Sequence, residues 1–199
     1  IDVAEQRRPG WPQAAILKAQ ILREQSGDKA REFLTAFVAN NPDANEVRVA
    51  LARQLVADKN FAGAREQFRA AMKHDPADAE LPYAVGLLAQ QLEDFADAEV
   101  QFKRVMEMAP KDANPVRFNL GAVVEAQNRA DDALAWYRTV TPGEYYVGAQ
   151  LKSAGILSRR DGMAKGRKFL QDAQAAAADT PETQVQLVLE EAQLLRDAK

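Results

Sequence analysis

Apolar and small residues return along this chain with two periods at once. Over short windows they fall at helical spacing. Leu51, Ala52 and Leu55 line one face, and Ala64, Phe68 and Ala71 line the next. Over longer distances the pattern repeats every 34 residues. Pro42, Pro76 and Pro110 keep that step, as do Ala30, Ala64 and Ala98, and Phe68 with Phe102. Ala133 and Tyr137 follow one residue late. A period of this length predicts stacked units of two antiparallel helices, each too small to bury its apolar face alone.

The pattern divides the chain into five units, 11–44, 45–78, 79–112, 114–146 and 147–180, and a last helix over 181–197. In each unit a first helix (A) leads through a short turn into a second (B). Asn60 ends one such turn and Phe61 opens the B helix, which Pro76 stops because proline lacks the N–H that a helix interior needs. Pro12, Pro82 and Pro115 fall in the first turn of A helices, where that loss costs little. The inward positions expected are Leu17, Ile21, Ala30, Leu34 and Phe37 in the first unit. They are Val85, Gly86, Ala98, Phe102 and Val105 in the third, and Leu120, Gly121, Val124, Ala133, Tyr137 and Val140 in the fourth. Ala52, Gly86 and Gly121 stand where A and B approach most closely, and a large Phe or Tyr fills the space beside them.

The fifth unit is looser. Thr141-Pro142-Gly143 ends the preceding B helix early, Glu144–Ser158 forms the A helix with Ala154 and Leu157 inward, and Asp161-Gly162 turns the chain. Gly166, Leu170 and Ala173 take the B positions. The last helix carries apolar residues on two sides, Val185, Val188, Leu189, Ala192 and Leu195 on one and Leu187 and Leu194 on the other. Residues Ile1–Arg8 read as the tail of an earlier helix. Both ends set the expectation of a fragment from a longer array.

These positions resemble the tetratricopeptide repeat (TPR) family over nearly the whole chain. The sequence departs from the family where a first-helix tryptophan is common (Arg48, Pro82, Arg117) and where a tyrosine is common (Leu55, Ala89, Val124). The resemblance implies an all-α, right-handed superhelix of about 11 antiparallel helices. It implies a single domain over 1–199 that binds a protein or peptide in its concave face. A narrower resemblance lies in Arg8-Pro9-Gly10-Trp11-Pro12-Gln13-Ala14-Ala15, in Trp136-Tyr137-Arg138 with Pro142-Gly143-Glu144-Tyr145-Tyr146, and in Glu191-Ala192-Gln193-Leu194-Leu195-Arg196-Asp197-Ala198. These stretches look like a group of long proteobacterial TPR proteins, often outer-membrane lipoproteins, of which at least one relative is an adaptor for a periplasmic protease. That likeness implies the periplasmic side of the bacterial outer membrane, with a periplasmic protease or an envelope assembly component as partner. A cytoplasmic setting is the alternative.

Composition narrows the chemistry. The net charge of −3 gives no basic field for nucleic acid. No stretch approaches the ~20 apolar residues of a membrane-spanning helix. Without cysteine there is no thiolate nucleophile and no disulfide. His74 is the only histidine and sits at a helix end, where a cation suits the helix dipole. The pairs Glu93-Asp94, Asp131-Asp132 and Glu190-Glu191 are sequence neighbours, which point apart on a helix and make no acid–base pair. No glycine-rich phosphate loop follows a strand pattern. The chain therefore reads as a non-enzyme with no cofactor and no metal. One basic cluster (Lys152, Arg159, Arg160, Lys165, Arg167, Lys168) is either a solvated edge or a docking patch for an acidic protein or lipid headgroups.

Carrying the family's concave positions over residue by residue gives Glu46, Val49, Arg53 and Val56 in the second unit. The third gives Tyr83, Leu87, Gln90 and Gln91, the fourth Phe118, Asn119, Ala122 and Glu125, and the fifth Leu151, Lys152, Gly155 and Arg159. The binding candidates are Arg53, Tyr83, Leu87, Gln90, Phe118, Asn119, Lys152 and Arg159. Tyr83 and Phe118 are either anchors for a partner or packing between A helices. The family's clamp for a C-terminal carboxylate would need Lys and Asn where Tyr83 and Leu87 stand, so that ligand is not expected. The function expected is an interaction scaffold in an envelope complex. The alternative is a spacer or self-assembly module without a groove ligand.

Overall fold

The structure, a computed structural model, describes residues 10–177 and 180–197, the side chains of Leu194 and Asp197 excepted. The helix tail expected at Ile1–Arg8 and the inward placement of Leu194 lie outside the described residues. Among those described there are eleven helices and no strand. They are α1 (Pro12–Gln25), α2 (Gly27–Asn40), α3 (Asn45–Ala57), α4 (Phe61–His74), α5 (Glu80–Gln91) and α6 (Phe95–Glu107), then α7 (Asn114–Ala126), α8 (Ala130–Tyr137), α9 (Tyr146–Asp161), α10 (Met163–Ala176) and α11 (Pro181–Asp197). Tertiary contacts group them into two units, α1–α6 and α7–α11. Within each, every helix packs on the next.

The turns repeat as strictly as the helices. Lys59, Glu93 and Asn128 each adopt positive φ, at 59°, 59° and 61°. The following N–H of Asn60, Asp94 and Arg129 reaches back to the carbonyl of Leu55, Ala89 and Val124. This is the Schellman closure, which satisfies carbonyls that the helix end leaves open. Asn60 and Asp94 then serve as N-caps, their side-chain oxygens accepting from the N–H of Gly63 (3.0 Å) and Asp97 (3.3 Å). The prolines sit as expected, with Pro12 and Pro115 in first turns and Pro76 beyond the end of α4.

Packing rests on one contact made in both units. A Cβ placed on Gly86 would stand 2.7 Å from the Phe102 ring, and one on Gly121 would stand 2.5 Å from the Tyr137 ring. Both rings are fully buried. One turn before each glycine another ring leans on the same aromatic. Tyr83 lies 5.8 Å from Phe102 and Phe118 lies 5.7 Å from Tyr137, both tilted. Ala98 and Ala133 are fully buried as well. In the fifth helix pair the small residues trade places. Ala154 stands on the A helix and Gly166 on the B helix, so close to Ser158 and the Ala154 carbonyl that a Cβ would overlap them.

Three expectations need correction. Leu17 and Ile21 do not face inward; they are 50% and 43% exposed, and Ala14, Ala15 and Ala19 are buried instead. Only Ser26 separates α1 from α2, against three residues between α3 and α4. The shorter turn shifts α1 out of the 34-residue frame and turns its alanine stripe to α2. The A helix of the fifth unit starts at Tyr146 and ends at Asp161, because Gly143 (φ 145°) and Gly162 (φ 95°) make the turns that bound it. Its inward face is carried by Ala154 and Ile156, while Leu157 is half-buried. In α11, Leu187 is buried against α10, whereas Val185, Val188 and Leu189 are each more than half exposed.

Gly121→Ala is expected to cost about 1–3 kcal/mol, because the Tyr137 ring has nowhere to move. Gly155→Ala meets only the Arg159 guanidinium at 3.5 Å and is expected to be neutral or to gain up to about 1 kcal/mol of helix propensity. Denaturant unfolding of the two variants checks the ordering, and equal effects would place the close contact elsewhere.

Candidate functional site

The eight binding candidates fall into two sets, one in each unit. In the first unit Glu46, Val49 and Arg53 on α3 face Ile16, Gln20 and Arg23 on α1 across a cleft of about 210 Å³. Its floor is Leu34 and Gln54. Gln13 on α1 donates to Glu46 at 3.1 Å. The Arg53 guanidinium is 70% exposed and 3.9 Å from the Glu80 carboxylate at the start of α5. Tyr83 and Leu87 follow Glu80 at helical spacing and share its face. Leu87 and Val56 leave 40% and 38% of their surface in solvent. Gln90 is half-buried.

In the second unit the candidates gather round a residue outside the eight, Glu125. Its Oε2 accepts the Tyr137 hydroxyl proton at 2.9 Å, and its Oε1 accepts from Arg159 Nη2 at 2.7 Å. Lys152 Nζ stands 3.8 Å from the same carboxylate. Three helices therefore meet at one side chain: α7 supplies the acid, α8 the phenol and α9 the two cations. Burial, with the Glu125 charge and hydrogen bond behind it, pushes the Tyr137 hydroxyl well above the ordinary tyrosine range. It stays a donor at any working pH. Glu125 is among the concave positions expected for the fourth unit, and it stands 34 residues before Arg159, of opposite charge.

Tyr83 and Phe118 are both half-buried and both pack on the fully buried B-helix ring of their own repeat. Phe118 also meets Tyr145 at 5.5 Å and lies against Gly148. Phe118 thus packs toward the next A helix, as the packing alternative has it, whereas Tyr83 leans on the B helix of its own repeat. Asn119 is half-buried and engaged in an interaction of its own.

The basic cluster is largely occupied within the second unit. Arg160 bonds Asp131 on α8 and, at 2.8 Å, Asp161. Arg167 bonds Glu191 on α11 at 2.7 Å, and Lys168 bonds Asp172 at 3.1 Å. The Arg167 guanidinium holds the Glu191 carboxyl below its usual range. In the first unit Arg31 and Arg65, 34 residues apart, likewise fasten their B helices to acids of the next turn, Asp58 (2.7 Å) and Asp94 (2.9 Å). The departure at Arg48 is also bonded, to Gln67 at 3.1 Å and the Pro42 carbonyl at 2.8 Å.

No protein-family model and no curated protein matches the chain in sequence. Solved structures match its fold. YrrB, a TPR protein with an unusual peptide-binding site, superposes with a TM-score of 0.72 at 18% identity, over 96% of this chain and 97% of that one. MamA gives 0.73 at 15% identity over 86% and 94%. A chain of the Naa15/Naa10 complex bound to HypK-THB gives 0.64 at 15% over 99% of this chain and 30% of its own. The fold is that of a TPR protein.

Tyr137→Phe removes a hydrogen bond to a charged acceptor and is expected to cost about 1–2 kcal/mol at neutral pH. The folded hydroxyl titrates above its unfolded value of 10.0, so its contribution is complete below pH 10 and falls as pH rises further. Thermal melts of the two proteins should therefore differ at pH 7 and converge in strong alkali. A constant gap would mean that Tyr137 is not the coupled group.

Proposed function

We propose that this chain is a protein-interaction scaffold that holds a protein or peptide segment on its A-helix faces and does no chemistry of its own. The observation that carries the reading is the exposed mixture on those faces. In the first unit Leu87 and Val56 are exposed and Arg53 lines the cleft between α1 and α3; in the second, Lys152 and Arg159 stand exposed around Glu125. Half-exposed apolar groups flanked by polar ones suit the anchor-and-rim pattern of interfaces. The fold shared with YrrB, whose own site binds peptide, supports it. The resemblance in Trp136–Tyr146 supports the finer reading, an adaptor on the periplasmic side of the outer membrane for a protease or an envelope assembly component. The exposed Val185, Val188 and Leu189 strip favours a second reading, self-association through α11, and a constant monomer mass in light scattering across concentration removes it.

The test is an affinity pull-down from bacterial envelope extract, with the chain and an Arg53→Glu/Leu87→Glu variant as baits. Both side chains are exposed, so the variant should melt as the parent does. Loss of a captured protein with the variant is the expected result. Capture of the same proteins by both baits would remove the first unit's A-helix face as the binding site.

A further inference from the structure

On the A-helix face of the second unit, two cations share one anion. Lys152 and Arg159 stand about two turns apart on α9. Their side chains are 50% and 67% exposed, and both turn to Glu125, which is 20% exposed. Glu125 already accepts a hydrogen bond from the Tyr137 hydroxyl at one of its oxygens. A single carboxylate cannot neutralise two cations, and Lys152, at 3.8 Å, is held the more loosely. The neighbouring Arg160 is balanced the other way, one cation between Asp131 and Asp161. Arg160 with its two acids offsets this one residue on, so the positive surplus at Lys152 and Arg159 is a local one. Beside Glu125 a cleft of about 240 Å³ opens between Asn128, Ala130, Ile156, Arg159 and Arg160. It is wide enough to admit a carboxylate side chain.

We propose that this face binds an acidic peptide segment, one Asp or Glu side chain of which takes Lys152 and Arg159, and that Glu125 is a built-in competitor occupying those cations when no partner is bound. The inference rests on the groove reading above and names the chemistry of the partner. A guanidinium has five N–H groups, and Arg159 uses its Nη2 to bond Glu125, at 2.7 Å. An incoming carboxylate can bind a second edge of Arg159 and draw Lys152 away from Glu125. Exposed ion pairs of this kind are weak, so little is lost in the exchange. Glu125 keeps its hydrogen bond from Tyr137 throughout, which holds the acid in place to repel a partner that brings none of the right charge distribution. The competitor thus sets a threshold, because a ligand must offer a stronger anion than the protein's own.

The experiment is fluorescence anisotropy with a labelled, C-terminally amidated peptide rich in Glu, beside the same peptide with every Glu replaced by Gln. Amidation removes the terminal carboxylate, so only side chains are tested. The proteins are the chain itself, Glu125→Gln, and Lys152→Ala/Arg159→Ala. Gln at position 125 keeps an oxygen for the Tyr137 hydroxyl, and matched melting temperatures confirm that the fold survives. The Glu peptide should bind at least about tenfold tighter than the Gln peptide and lose that preference with the double variant. Glu125→Gln should bind it about fivefold tighter or more, the lower end of an ordinary coupling between sites. Equal affinity for both peptides, no binding of either, or indifference to the double variant overturns the acidic partner. Unchanged affinity in Glu125→Gln overturns the competitor. Either failure beside a partner lost with Arg53→Glu/Leu87→Glu strikes this inference alone and leaves the groove reading standing.

Discussion

The approach of an A helix to its B helix over a residue with no side chain is the constraint on which the rest depends. Gly86 admits the Phe102 ring and Gly121 admits the Tyr137 ring, each at a distance that any Cβ would close. Interiors are packed at crystal-like density, so a ring seated this way fixes the spacing and the rotation of both helices. Rotation then decides which residues remain outside. With Gly121 turned toward α8, Glu125, one turn later on α7, stands where it can take the Tyr137 hydroxyl and the Arg159 guanidinium. The same ring serves both ends, its face packed and its hydroxyl bonded. A buried tyrosine left without that partner would carry an unsatisfied polar group.

Much of this was legible along the chain, and the reasons are physical. The 34-residue step survives in residues that cannot be exchanged without cost: glycine or alanine at the close contact, an aromatic opposite, a proline past the B helix. Those positions gave the helix pairs, and ten of the eleven described helices follow the expected A and B order up to α10. The turns were legible only in part. Asn60 and Asp161-Gly162 marked two of them, but Lys59, Glu93 and Asn128 take a left-handed conformation without being glycine, so residue type did not mark them. The first helix misled because Leu17 and Ile21 look like core residues. The one-residue turn at Ser26 set the register, and that is a matter of geometry between helices rather than of hydrophobic pattern.

The candidate site was legible in part for the same reason. Family position placed Arg53, Leu87, Lys152 and Arg159 on exposed A-helix faces, and they are exposed. What position could not supply was pairing. Tyr83 and Phe118 read either as anchors or as packing between A helices, and each leans on the buried ring of its own repeat, a contact across helices. The basic stretch from Lys152 to Lys168 read as one patch in sequence. Folding distributes most of its charges to Glu125, Asp131, Asp161, Glu191 and Asp172, with Lys152 and Arg159 sharing a single acid.

The glycine–aromatic contact behaves as a coupled pair, and a double-mutant cycle on Gly86 and Phe102 tests this. Urea unfolding of Gly86→Ala, Phe102→Leu and the double variant gives the coupling. The smaller leucine makes room for the added methyl, so the double variant should recover about 1 kcal/mol or more relative to the sum of the single costs. Additive costs would contradict the account, since they would mean that the two residues do not meet in the way that sets the helix pair.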